Sequence, residues 1–358
     1  MNGFPRRRFL LLPLALIGAA ARAEARYPDV RKGAPLAFPA DEGAHPAFRT
    51  EWWYITGWLR DTAGRECGFQ VTFFRNRPGV AEESSSRFAP NQLLFAHAAV
   101  ADPEQQRLLV DQRAAREGFD LASVAQERIG VHIGNWSLLQ DGDRYAARIH
   151  ARTFALELAF AARMPVLLQG DDGVSRKGPD PLDASFYYSR PQLVVTGSIA
   201  IGAAVRAVTG TAWLDHEWSS RYLTRGAVGW DWAGINFDDG AALMAFRIRD
   251  AQGGAVWAGG AYRDARGVRH VMSPADVEFV AERHWRSPRT GVEYPVSFRL
   301  RAGAVEVTLE PLFADQELDA RAGVGAVYWE GAVRALMGGR ITGRGYLELT
   351  GYGEALRI

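Results

Sequence analysis

From Thr50 onward the hydrophobic positions fall in short runs that alternate with polar ones and break at turn residues. In Phe154–Phe160, Phe154, Leu156, Leu158 and Phe160 alternate with Ala155, Glu157 and Ala159, the period of a strand with one buried face. Aromatic and β-branched runs at Thr50–Arg60 and Gly68–Phe74, separated by Asp61-Thr62-Ala63-Gly64, read as a hairpin. Similar signals follow at 93–100, 107–110, 136–139 and 145–151, and after Phe160 at 186–189, 192–201 and 205–214. Residues 112–128 fit a short helix or a long loop, and 164–177 reads as a loop around Gln169-Gly170-Asp171-Asp172-Gly173. Beyond Trp232 the grammar repeats to Gly351, and no segment shows a sustained helical period. About sixteen strands in an antiparallel meander predict an all-β chain of barrels or sandwiches.

An internal echo divides the chain. Trp52-Trp53 and the strand that follows are mirrored by Trp230-Asp231-Trp232 and its hairpin. This predicts two similar β-barrels, at 46–220 and 221–358, after a leader loop at 24–45. A barrel of about eight strands has room inside for side chains or one small ligand. Residues 1–23 read as a signal peptide: Arg6-Arg7-Arg8-Phe9-Leu10 has the twin-arginine pattern and Ala21-Arg22-Ala23 a cleavage motif. The expected location is therefore periplasmic or secreted. The only cysteine, Cys67, excludes an intramolecular disulfide.

Charge and motifs remove several classes. The net charge is +1 with basic residues dispersed, so neither nucleic acid nor an anionic membrane is an expected partner. There is no Gly-x-Ser-x-Gly elbow and no phosphate or dinucleotide loop. Metal ligation is not expected, because adjacent Asp215, His216 and Glu217 point alternate ways, and no cofactor is required. Only Lys32 and Lys177 are lysine, which reads as a bias of composition.

The chemistry concentrates at Trp213-Leu214-Asp215-His216-Glu217-Trp218 and Gly229-Trp230-Asp231-Trp232. Four tryptophans, three carboxylates and a histidine fall within twenty residues. In a strand Asp215 and Glu217 share one face, and His216 and Trp218 share the other. A carboxylic acid among tryptophans keeps its proton through desolvation, and ring faces stabilise a nearby cation. Such residues suit proton transfer to an apolar ligand; ion pairing of the carboxylates with arginine is the structural alternative.

Arg49-Thr50-Glu51-Trp52-Trp53-Tyr54, Leu168-Gln169-Gly170-Asp171, Phe186-Tyr187-Tyr188-Ser189, the two central motifs, Asp315-Gln316-Glu317-Leu318, Tyr328-Trp329-Glu330-Gly331 and Gly343–Tyr352 occur in an order that resembles the lipocalin-like AttH family. That family is related to carotenoid 1,2-hydratases. The resemblance implies two lipocalin-like antiparallel β-barrels and an apolar, isoprenoid- or lipid-like ligand. For the hydratases it implies water addition to a terminal isoprenoid double bond. It matches His216 and Trp218 to an important His-x-Trp pair, and Asp231 to an acid that follows an aromatic residue. The catalytic residues expected are Asp231 and His216, with Trp218, Trp230, Trp232, Glu217 and Tyr188 around the substrate. Trp52-Trp53 resembles the tryptophan that plugs a lipocalin barrel, with Glu51 as an ion-pair partner. AttH-type members are associated with export permeases, so a non-catalytic lipophile-binding accessory of an ABC-type export system is the alternative reading.

Overall fold

The computed structural model describes residues 27–80, 82–321 and 325–356. The expected signal peptide at 1–23 lies outside the described residues. Among those residues the secondary structure is antiparallel strand apart from two single turns of 3₁₀-helix, Ala40–Glu42 and Pro274–Asp276. None of their helices is long and apolar enough to cross a membrane. Two lipocalin-like barrels result.

The first barrel is one sheet that starts at Thr50–Asp61 and ends at Ala204–Arg221, two strands that pair with each other. Its edge strands are Arg107–Arg116 and Ala122–Val124, and Arg107–Arg116 also approaches Gly130–Ile133. There Arg113 bonds the carbonyls of Ile133 (3.2 Å) and His150 (3.1 Å), with its guanidinium over Trp136. The second barrel repeats the plan, with its first strand Ala227–Phe237 beside its last, Arg340–Leu349. Arg247, on Ala242–Asp250, reaches across to the edge strand Val277–Arg286 by donating to the carbonyl of Phe279 at 3.0 Å.

Alternation holds where it was expected: Phe154, Leu156, Leu158 and Phe160 face the first core, and Glu157 faces solvent. The strands at the junction differ. Most of Thr50–Asp61, and the part of Ala204–Arg221 from Ala212 to Ser219, are buried on both faces, because the outer face packs on the second barrel. A third apolar cluster, including Tyr54, Trp58, Trp213, Trp232 and Tyr346, fills the space between the barrels.

Several strands are added to those expected. Ala122–Val124 lies in the region of blurred pattern and Gly130–Ile133 just beyond it, and Leu167–Leu168 and Val174–Arg176 lie in the expected loop. Strands this short carry no period of their own; pairing with longer neighbours defines them. Ala184–Ile201 runs through Pro191 by means of a bulge, where Gln192 takes a left-handed φ of 58°. The Gln192 side chain then bonds the carbonyls of Phe237 and Ala241, tying the barrels together.

Candidate functional site

Strand register sorts the central residues onto two faces. Trp52, Trp53 and Tyr54 lie opposite Glu217, His216 and Asp215 respectively, and Tyr187 and Tyr188 lie opposite Glu217 and His216 on the other side. Trp52, Tyr54, Tyr187, Asp215 and Glu217 face the second barrel; Glu51, Trp53, Tyr188, His216 and Trp218 face the first barrel's interior. The expected split of Asp215 and Glu217 from His216 and Trp218 is what the structure has. One consequence is that the five residues expected with Asp231 and His216 do not form one site.

Inside the first barrel, Glu51 is the hub of a buried network. It accepts hydrogen bonds from Arg75 Nε (2.7 Å), His216 Nε2 (2.8 Å) and His45 Nδ1 (2.8 Å). Burial opposes its ionisation, but the bonds from His216 and His45 and the Arg75 charge overcome it and hold its pKa below the carboxylate range. Burial lowers the His216 pKa to about 4, so the ring is neutral, with Tyr188 Oη 3.2 Å from Nδ1. His45, from the leader, stacks on Trp218 at 3.7 Å and covers this network. His45, Glu51 and His216 offer three ligand atoms within 4.8 Å of one another. Those atoms are already joined to one another, and Glu51 already has a cation in Arg75, so the cluster is satisfied by the protein's own groups.

Asp231 lies on the inner face of the second barrel with Ala233 and Ile235, and does not line the space between the barrels. It is fully buried and bonded to Arg247 Nε (2.5 Å), Arg249 Nε (2.9 Å) and Tyr352 Oη (2.9 Å). The echo between the halves is here a repeated device. Glu51 stands opposite Arg75, and Asp231 opposite Arg247, each carboxylate on the first strand of its barrel. Each is followed by a tryptophan, Trp52 or Trp232, on the opposite face.

Those tryptophans wall a cavity of about 320 Å³ between the barrels. The first barrel contributes its outer face; the second contributes Trp230, Trp232, Phe246, Tyr328, Glu330 and Glu348. Of the expected binding residues, Glu217, Trp230 and Trp232 are here, while Trp218 and Tyr188 are not. Such an apolar space with convergent polar groups has the size and make-up of a small-molecule site.

Asp215 is the most constrained of those polar groups. Its carboxyl meets Ser189 Oγ (2.5 Å), Trp213 Nε1 (2.6 Å) and Tyr187 Oη (2.7 Å). Burial nevertheless raises its pKa to about 7, against those donors and with help from the Glu217 charge. Trp232 Nε1 donates to the same Tyr187 hydroxyl at 3.0 Å, so the second barrel fixes that contact. Glu217 is neutralised by Lys177 at 2.7 Å and also accepts from Ser185 Oγ. Lys177 is buried, with its ammonium over the rings of Phe246 (4.3 Å) and Tyr187 (4.9 Å).

Sequence reasoning missed Asp215 as an acid, and Lys177, Glu330 and Glu348 altogether. Lys177 had one signal: it is one of two lysines in a chain that otherwise uses arginine. Glu330 and Glu348 stand in the Tyr-Trp-Glu-Gly and Gly343–Tyr352 motifs, and become neighbours only through the register of Ala326–Met337 with Arg340–Leu349.

Residues 29–352 match the model of the family described as AttH-like. Among solved structures, the chain is 48% identical to a putative AttH from Nitrosomonas europaea, with a TM-score of 0.85 over 91% of this chain and 99% of that one. Kievitone hydratase from Nectria haematococca is similar in fold at 13% identity, with a TM-score of 0.69 over 92% and 97% of the two chains. CghA with Sch210972 is similar at 11% identity, with a TM-score of 0.52 over 85% and 89%. A search of the curated proteins finds no match. Strand plan, motifs and family match agree: the chain belongs to the AttH-like family.

Proposed function

We propose that the cavity between the barrels binds a largely apolar small molecule and adds water to an isoprenoid-type double bond in it. The observation that carries this reading is Asp215, a buried carboxyl poised near neutrality on a wall of tryptophan and tyrosine. Asp215, and not Asp231, is the acid in this reading, because Asp231 is committed to two arginines away from the cavity. The Asp215 proton goes to the less substituted alkene carbon, the π electrons form the new C–H bond, and a tertiary cation is left on the other carbon. Trp230 and Trp232 face that cation. A water oxygen then attacks it and passes its proton to Glu217, and return of that proton to Asp215 closes the cycle. Tyr187, bridging Asp215 and Trp232, is a positioning residue.

A rate that depends on protonated Asp215 falls as pH rises through about 7. The test is turnover of geraniol to its tertiary hydrate between pH 5 and 9, with saturable quenching of tryptophan emission measured alongside. A decline in kcat above about pH 7 fits the reading. Saturable quenching with no turnover at any pH rejects the catalytic step and leaves a lipophile carrier, the form that an accessory of an export system takes.

A further inference from the structure

We propose that the ligand of this cavity carries a primary ammonium group, taken by the carboxyl pair Glu330 and Glu348 on the second barrel. The inference deepens the reading above and rests on it.

The two barrels supply matched positions. Glu217 lies opposite Trp52 on the first barrel, and Glu348 lies opposite Trp232 on the second, each on the last strand of its barrel. Glu217 has an ammonium within the protein, Lys177 at 2.7 Å. At the related place, Glu348 faces a second carboxyl, Glu330, its direct cross-strand partner. Among the described residues neither of the two has a lysine, arginine or histidine at ion-pair distance; the arginine that lines the cavity, Arg75, is committed to Glu51. Burial, with the Glu348 charge beside it, pushes the Glu330 pKa well up, and burial raises that of Glu348 to about 7, so the pair is not fully ionised until a cation offsets it.

A separate observation points to a missing partner. Glu330 Oε1, Tyr54 Oη and His97 Nε2 have no hydrogen-bond partner in the protein, although Glu330, Tyr54 and His97 are at least nine-tenths buried and line the cavity. The Tyr54 hydroxyl lies beside the Glu330 carboxyl and interacts with it without completing a well-formed hydrogen bond, which leaves Oε1 open to a stronger donor. Buried polar atoms in this state are rare, and each calls for a partner. An ammonium has three donors for such atoms, and Trp230 and Tyr328 add ring faces of the kind that attract a cation. Trp230 Nε1 already bonds Glu348 at 3.1 Å, which holds that carboxyl toward the aromatic wall. The ligand is then an isoprenoid-like amine, its apolar body on the tryptophans and its ammonium where the second barrel has no lysine.

Matched probes of one carbon skeleton test this: geranylamine and geraniol, titrated by tryptophan quenching at pH 7 against the wild type and Glu330→Gln/Glu348→Gln. Wild type should bind geranylamine at least about tenfold more tightly than geraniol, and the double variant should lose that preference while still binding geraniol. Geraniol bound as tightly as the amine by the wild type overturns the inference and leaves the cavity reading intact. A preference for the amine that survives in the double variant overturns the assignment to this pair. Failure of both probes to bind overturns the inference together with the reading beneath it.

Discussion

Asp215→Asn lowers kcat for water addition by about 10²–10⁴-fold and leaves ligand affinity nearly unchanged. Asparagine keeps the shape of the side chain and an oxygen for Ser189 and Trp213, but has no proton to give to carbon. The fold does not suffer. Burial raises the Asp215 pKa from an ordinary 3.8 to about 7, so the folded protein holds this proton more tightly than the unfolded chain. Its contribution to stability is present below 3.8 and is lost as pH rises to about 7. Asp215→Asn removes that loss, so denaturant melts of the variant should match or exceed wild type at pH 8. Steady-state kinetics beside those melts separate a missing proton from a damaged barrel. Full turnover in the variant removes Asp215 from the mechanism.

Asp231→Asn behaves in the opposite way. Asp231 is fully buried between Arg247 and Arg249, and Arg249 is itself buried and held to the Thr350 carbonyl. Neutralising the carboxylate leaves two guanidinium charges facing one another in the second core. Loss of one partner from a buried pair costs on the order of 3–5 kcal/mol. The variant should therefore show a large fall in denaturation midpoint, while the molecules that remain folded keep most of their turnover per active site. Active-site titration with a tight ligand, set against urea melts, reads both quantities. Unchanged stability with turnover abolished would return Asp231 to the chemistry.

The contrast between these aspartates marks how far the sequence could be read. Alternation along Phe154–Phe160 identified a barrel wall, and the same rule separated Asp215 and Glu217 from His216 and Trp218. Period tells which residues share a face; it does not tell what that face packs against. Trp230 and Trp232 flank Asp231 in the chain, yet a strand turns them toward the other barrel and Asp231 inward. His216, Trp218 and Tyr188 were grouped with them through proximity in sequence and through the family resemblance. The structure puts these three inside the first barrel, where His216 bonds Glu51 and stacks on Trp53, and Tyr188 and Trp218 pack against His216.

Lys177 and the Glu330–Glu348 pair were out of reach for a related reason. Lys177 is buried by the return of Val174–Arg176 along Ala184–Ile201, a contact between segments too short or too irregular to show a period. Glu330 and Glu348 meet only when the register of their hairpin is fixed. Their positions depend on tertiary pairing, which local pattern does not encode.

We place the working site between the barrels and not within either of them. A crystal structure of the wild type with bound geranylamine tests it most directly. Density for the ligand against Trp230, Trp232, Tyr187 and Asp215 is the result predicted. Density inside the first barrel beside His216 and Trp218, with the space between the barrels left to solvent, would contradict it.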